Sequence, residues 1–277
     1  MSSDTGSEAK MNKEQILAIH EYLRENSPGV DLLEKYLHDA KRPFCDSVEE
    51  TVLYIPLYSA FPRSASVWTP RIEWLRNNNW GVKEIAALDL SESGVEKIAS
   101  GVMSDGSSFG SPKAVKYLIV RAKRISSYGV ANLERELEMP ENWTFQSVRK
   151  RINFLCDLGG IGEKAALHIL MELRWDVVKP DMHICRFLSR LGGDWSRFFP
   201  EGEAEEVASH LLSEFLETWH KKCIDIRQAT GWESRQVDML IMFFTQGEEG
   251  LAPPLCTKNP ECARCRVPNC KYGESAT

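Results

Sequence analysis

Apolar residues recur along this chain at three- and four-residue intervals, the period of helices with one buried face. Ile16, Leu17, Ile19, Tyr22 and Leu23 form the first such stripe, and Asn12 with Gln15 reads as a capping box opening it. Ser27-Pro28-Gly29 breaks that helix, and a second follows with Leu32, Leu33, Tyr36 and Leu37 on one face. Val52 to Leu75 is apolar and aromatic, interrupted by Pro56, Pro62 and Pro70. Lys83 to Ser100 reads as two short helices with a break near Ser91-Glu92-Ser93, and Gly101 to Gly110 as a loop. Ser111-Pro112 opens another helix, with proline in its first turn and Val115, Leu118, Ile119, Ala122 and Ile125 facing inward. Ser126 to Thr144 reads as a helix-containing insertion whose charges form a solvated face. Two further periodic runs, Val148 to Cys156 and Ala165 to Leu173, flank Leu158-Gly159-Gly160-Ile161-Gly162-Glu163-Lys164. Beyond them, Met182 to Gly192, Ala204 to Trp219 and Ser234 to Thr245 are helical, with an irregular aromatic stretch at Asp194 to Pro200. No strand pattern exceeds chance, so the predicted fold class is all-α.

The 277 residues suffice for one large or two small domains with a real core. With 43% hydrophobic residues and a mean hydropathy of −0.33, the chain reads as soluble and globular. No apolar run approaches a membrane-spanning length, and no membrane partner is expected. Residues 1–11 are polar, without the apolar core of a signal peptide, and are expected to lack fixed structure. The expected location is therefore inside the cell, where thiols stay reduced. Any cluster among the eight cysteines then points to metal or catalysis. A net charge of −6 argues against a broad, non-specific coat on nucleic acid, although charge can be segregated by face.

Three constellations carry chemistry. Two helices joined through Gly160, Ile161 and Gly162 make a helix-hairpin-helix. Glycines there can take positive φ and leave the backbone bare. Bare N–H groups at the start of the second helix suit a phosphate oxygen, helped by the helix dipole. Taken alone, the same sequence also describes an ordinary tight turn. Lys164 falls in the first turn of the second helix, where poor solvation at a helix N-terminus would disfavour the ammonium and favour a nucleophilic amine. Its plain alternative is a surface lysine. Asp181 follows Val177-Val178-Lys179-Pro180 and sits at the start of the next helix, where it also reads as a simple N-cap. Cys256, Cys262, Cys265 and Cys270 are separated by five, two and four residues. Four thiolates in so short a loop fit a structural zinc or a [4Fe–4S] cluster. Lys258, Arg264, Arg266 and Lys271 would give that loop the positive charge the chain as a whole lacks. Cys45, Cys156, Cys185 and Cys223 lie among apolar residues and read as structural thiols.

The order Leu-x-Gly-Ile-Gly-x-Lys-x-Ala, then Val-x-Pro-Asp-x-His-Ile-x-Arg, then the four-cysteine loop resembles the helix-hairpin-helix DNA glycosylases, and within them the endonuclease III branch. The resemblance covers roughly Val52 to Cys270. Each outer cysteine spacing is one residue shorter than that branch uses. The resemblance implies two helical domains flanking a DNA-binding cleft. Residues 46–166 would be a six-helix barrel carrying the hairpin. Residues 1–45 would pack with residues 167–277, which would hold the catalytic aspartate and a [4Fe–4S] cluster. It implies that Lys164 and Asp181 are catalytic, that Gly160, Ile161, Gly162, Phe61 and Arg186 bind DNA, with Arg186 and His183 either pairing with phosphate or supporting the Asp181 loop, and that Cys256, Cys262, Cys265 and Cys270 bind the metal. Phe61, in Ser59-Ala60-Phe61-Pro62, stands where the branch carries a gap-filling glutamine, so it would act as an apolar wedge or else pack in a core. The implied activity is a bifunctional DNA glycosylase and AP lyase, acting as a monomer on double-stranded DNA with a damaged or modified base. The alternatives are a monofunctional glycosylase of the same fold and a non-catalytic DNA-binding protein. An adenine-mismatch enzyme fits less well, because Tyr54-Ile55-Pro56-Leu57-Tyr58 lacks the acidic residue such relatives place there.

Overall fold

The computed structural model describes residues 11–41, 45–60, 65–103, 106–141, 143–199 and 206–276. Phe61 and residues 1–10, the subjects of two sequence expectations, lie outside them. Among the described residues the chain is α-helical, with one isolated antiparallel bridge between Val102 and Ser108. No helix is long and apolar enough to cross a membrane.

Two compact units emerge: Met1–Arg42 with Asp176–Thr277, and Pro43–Trp175. The expected boundaries at 45/46 and 166/167 are thus displaced. The second shift is the larger, because the helix after the hairpin cannot be cut. It packs along its length on the first helix of its unit, and Trp175 beyond it donates its indole N–H to the carbonyl of Leu137 (2.9 Å).

The first unit begins with α1 (Lys13–Asn26) and α2 (Val30–Asp39) and returns with α11 (Met182–Leu191), α12 (Leu212–Thr230), α13 (Ser234–Gln246) and α14 (Lys271–Ala276). The capping box of α1 forms as its sequence predicts: the Asn12 side chain accepts from the Gln15 N–H, and Gln15 returns a bond to the Asn12 N–H. Gln15 is fully buried and also donates to the Pro268 carbonyl (3.0 Å), tying α1 to the cysteine loop. α12 starts later and runs further than the expected Ala204 to Trp219. Leu212, Phe215, Leu216, Trp219, Cys223 and Ile226 carry its buried stripe down to Gly231, whose left-handed conformation stops it. The stretch after α11 is an aromatic cluster, with Trp195 and Phe198 each 5.5 Å from Phe215 between ring centres.

The second unit contains α3 (Val48–Ala60), α4 (Ala65–Asn77), α5 (Val82–Ala86), α6 (Glu92–Ala99), α7 (Pro112–Tyr128), α8 (Val130–Leu137), α9 (Phe145–Asp157) and α10 (Glu163–Glu172). α3 is buried throughout Thr51–Leu57, so it reads as an apolar run rather than a stripe. The supposed insertion is an integral part of this unit. α7 continues to Tyr128, and α8 buries Leu133 and Leu137 while packing on α3 and α7.

Candidate active site

The hairpin is built as expected, with a different division of labour among its glycines. Gly159 and Gly160 take φ of +86° and +67°, whereas Gly162 has φ −89° and ψ 170°, open to any residue. A Cβ at Gly160 would lie 2.8 Å from Cδ1 of Tyr117 on α7, so glycine is required there for both conformation and room. A Cβ at Gly162 would meet nothing within 4 Å. Gly162 is the N-cap of α10 and has no side chain to cap it. Ile161 between them is buried and anchors the turn, so any ligand contact it makes is through its backbone. Arg149 of α9 pairs with Glu163 across the hairpin, and that carboxylate also sits favourably at the positive end of the α10 dipole. The result is a helix N-terminus with an unobstructed approach, the geometry that accepts a phosphate oxygen.

Lys164 occupies the first turn of α10 and is exposed. The poorly solvated amine expected from sequence is therefore absent from the chain by itself.

Asp181 belongs to the other unit. Val177, Val178 and Pro180 are buried and fix the segment leading to it. It is the N-cap of α11: one carboxylate oxygen accepts the N–H groups of His183 (3.0 Å) and Ile184 (3.2 Å), and the other lies 3.3 Å from the Lys179 ammonium. Its side chain nevertheless keeps 34% of its surface exposed. The cap orients a carboxylate that stays reachable, so capping and catalysis are compatible in this geometry. Burial lowers the pKa of His183, the Asp181 carboxylate opposes that, and the charges of Arg186 and Lys179 add to it. Arg186 is 6% exposed, which suits support of the Asp181 loop better than the phosphate contact, the two roles open to it from sequence. Its position one turn into α11 directs it to the packed side of the helix, between Cys185 and Phe187, which are also buried.

All four cysteines of the C-terminal loop line one cavity of about 230 Å³, together with Arg190, Leu255 and Val267. Arg190 of α11 is buried and organises this loop. Its guanidinium donates to the Cys256 carbonyl (3.1 Å), the Cys256 Sγ (3.3 Å) and the Thr257 carbonyl (2.6 Å), and lies 5.1 Å over the Tyr272 ring. Burial raises the thiol of Cys256 to about 11, although Arg190 pulls it back, and burial also raises Cys265 and Cys270. Among the described residues no three His, Cys, Asp or Glu side chains converge closely enough to hold a single ion. Four soft sulfur donors around one cavity are a donor set that suits either a structural zinc or a [4Fe–4S] cluster. The loop's positive charge is partly neutralised, since Arg264 pairs with Glu261 (2.6 Å) and Arg266 lies 3.7 Å from Glu25.

The chain is similar to a solved structure, the crystal structure of Tm1821, the 8-oxoguanine DNA glycosylase of Thermotoga maritima, aligned over 86% of this chain and 99% of that one at 19% identity and a TM-score of 0.48. No protein-family model and no curated protein matches the chain.

Besides Arg190, two buried charged residues escaped the sequence reading, one in each unit. Arg121 of α7 is 1% exposed and donates to the carbonyls of Leu53 (2.5 Å) and Gly160 (3.2 Å). It thus joins the proline-containing helix α3 to the hairpin. Burial pulls its pKa down to about 9, so it stays charged at neutral pH. Asp176 is buried; its carboxylate accepts from Ser234 and lies 3.0 Å from His220 Nδ1 and 2.6 Å from the Arg227 guanidinium, which pins the start of the Asp181 segment to α12 and α13. A charged residue amid buried neighbours was the available signal in both cases, but their partners are too distant in sequence to be read from it.

Proposed function

We propose that this chain is a DNA glycosylase with AP-lyase activity, acting on a damaged or modified base in duplex DNA. The observation that carries the proposal is Lys164, exposed in the first turn of a helix whose N-terminus is left open by Gly162. A backbone phosphate on that N-terminus would bring the sugar of the same strand within reach of the lysine. The target nucleotide must leave the stack, because C1′ is shielded in the duplex. Covering by DNA would also strip water from the exposed Lys164 side chain, and loss of solvent disfavours an ammonium.

The lysine nitrogen then bonds to C1′ as the N-glycosidic bond breaks, and the base departs with a proton. The Asp181 carboxylate stabilises the positive charge that develops on the sugar. Loss of a proton from the lysine nitrogen and opening of the ring leave an imine. Removal of a C2′ proton expels the 3′ phosphate by β-elimination and breaks the strand. Cys256, Cys262, Cys265 and Cys270 would hold a [4Fe–4S] cluster, which would staple the loop to α11 through Arg190. The cluster supplies no step of this chemistry.

Borohydride trapping tests the proposal. Reduction of the imine should join enzyme and lesion-bearing strand covalently on a denaturing gel. Lys164→Ala should abolish trapping while retaining most DNA binding. Asp181→Asn should slow base release by orders of magnitude, since its charge acts mainly in the transition state. Base excision without trapping by the wild type would assign the monofunctional alternative, and absence of both would assign the non-catalytic one.

A further inference from the structure

α7 presents an exposed face that the catalytic reading leaves unused. Lys113, Lys116, Tyr117, Val120 and Arg124 follow one another at helical spacing along it, while Ala114, Val115, Leu118, Ile119, Ala122 and Ile125 face the core. No Asp or Glu occurs from residue 106 to residue 133, in a chain whose net charge is −6. Lys113 and Lys116 are exposed and have no carboxylate partner among the described residues. Tyr117, next after Lys116 and one turn beyond Lys113, is 36% exposed.

This face abuts the hairpin. Tyr117 is the side chain that a Cβ at Gly160 would strike, and a Cβ at Gly159 would lie 3.4 Å from Val120 and 3.5 Å from the Arg124 guanidinium. Arg124 also donates to the carbonyl of Asp157 at the end of α9. The basic stripe and the open N-terminus of α10 therefore form one continuous surface within the second unit. Charge complementarity favours a polyanion, and continuity with a phosphate-accepting N-terminus decides which one.

We propose that the exposed face of α7 binds the phosphodiester backbone of DNA, extending the hairpin's grip along the same strand through Lys113, Lys116 and Arg124, with Tyr117 packed against the sugar edge. This rests on the reading of the hairpin as a DNA grip. Lys113 and Arg124 are eleven positions apart, about 16 Å of helix, long enough to meet successive phosphates of one strand.

Salt dependence provides the test, because each phosphate contact contributes about 0.9 to the slope of log affinity against log salt. The full-length protein would be titrated by fluorescence anisotropy onto a duplex with a stable abasic analogue, from about 50 to 300 mM KCl. Lys113→Ala/Lys116→Ala should lower the slope by roughly 1.8 and weaken binding at least about tenfold at 100 mM salt. The control Lys35→Ala/Lys97→Ala removes equal charge from α2 and α6 and should leave the slope unchanged. Both pairs are exposed, and circular dichroism should show unaltered melting. An unchanged slope in the α7 variant, or an equal fall in the control, overturns the proposal. Absence of salt-dependent binding by the wild type would instead overturn the DNA-enzyme reading beneath it.

Discussion

Alanine at two hairpin glycines separates architecture from function, because the two positions differ in every physical respect but sequence. At Gly160 the φ of +67° costs a residue with a Cβ about 1–2 kcal/mol. The new Cβ also meets Tyr117 at 2.8 Å, so the ring or the turn must shift. The reduced entropy of the unfolded chain returns about 0.4–1 kcal/mol. Gly160→Ala should therefore be destabilised by about 1–2 kcal/mol, the Tyr117 clash outweighing the entropy gain. At Gly162 the backbone is extended and the Cβ has free space. Alanine is a poorer N-cap than glycine by roughly 0.5–1 kcal/mol, and the unfolded-state gain offsets about as much. Gly162→Ala should unfold in urea with its midpoint and slope unchanged. Yet its methyl group would stand in the approach to the first N–H groups of α10. Loss of one charge-assisted hydrogen bond, about 1.5–3 kcal/mol, should weaken binding to an abasic-analogue duplex by roughly ten- to hundredfold. Anisotropy titration and urea denaturation on both variants decide the matter. Wild-type DNA affinity in a well-folded Gly162→Ala would refute backbone approach at this N-terminus and leave the hairpin an ordinary turn.

Burial raises the Asp176 pKa, but the hydrogen bonds from His220 and Ser234 and the charge of Arg227 outweigh it, so the net value lies below that of an ordinary aspartate. A carboxylate depressed in the folded state stabilises above its unfolded pKa and loses that contribution as pH falls through the folded value. Asp176→Asn should cost about 2 kcal/mol at pH 7, and the gap to wild type should shrink once pH drops below about 4; a gap independent of pH in urea titrations would contradict the assigned charge. Arg121→Lys should destabilise by about 2 kcal/mol and at least as much as Arg121→Met, since lysine keeps the buried charge but cannot reach both Leu53 and Gly160 carbonyls; urea midpoints rank the two. Protein purified without oxygen should contain about four irons per chain and absorb broadly in the visible, and Cys262→Ala should lose both; stoichiometric zinc without iron would assign the other metal.

Features set by neighbours in sequence were legible before any coordinates. The Asn12–Gln15 box, the Ser111-Pro112 start of α7 and the Asp181 cap of α11 each depend on groups two or three residues apart. Residue type and spacing therefore determine them, just as apolar periodicity determines an all-helical chain. The four cysteines are likewise legible, since a short loop can hardly keep them apart, and they share one cavity. What the sequence left undetermined depends on partners far along the chain. Gly159 and Gly160, rather than Gly162, became the left-handed pair because Tyr117, Val120 and Arg124 of α7 crowd that side of the turn. Arg121 is held by carbonyls 68 and 39 residues away, and Arg190 by a loop 66 residues downstream. Arg186 is an arginine on the inner side of its helix, although its type also allowed a surface contact. The division of the chain falls between Trp175, bonded to Leu137 in one unit, and Asp176, bonded to Ser234 in the other. Local sequence determines where helices start and stop; which side chains they bury, and where one unit ends, is decided by packing between segments whose separation no local pattern encodes.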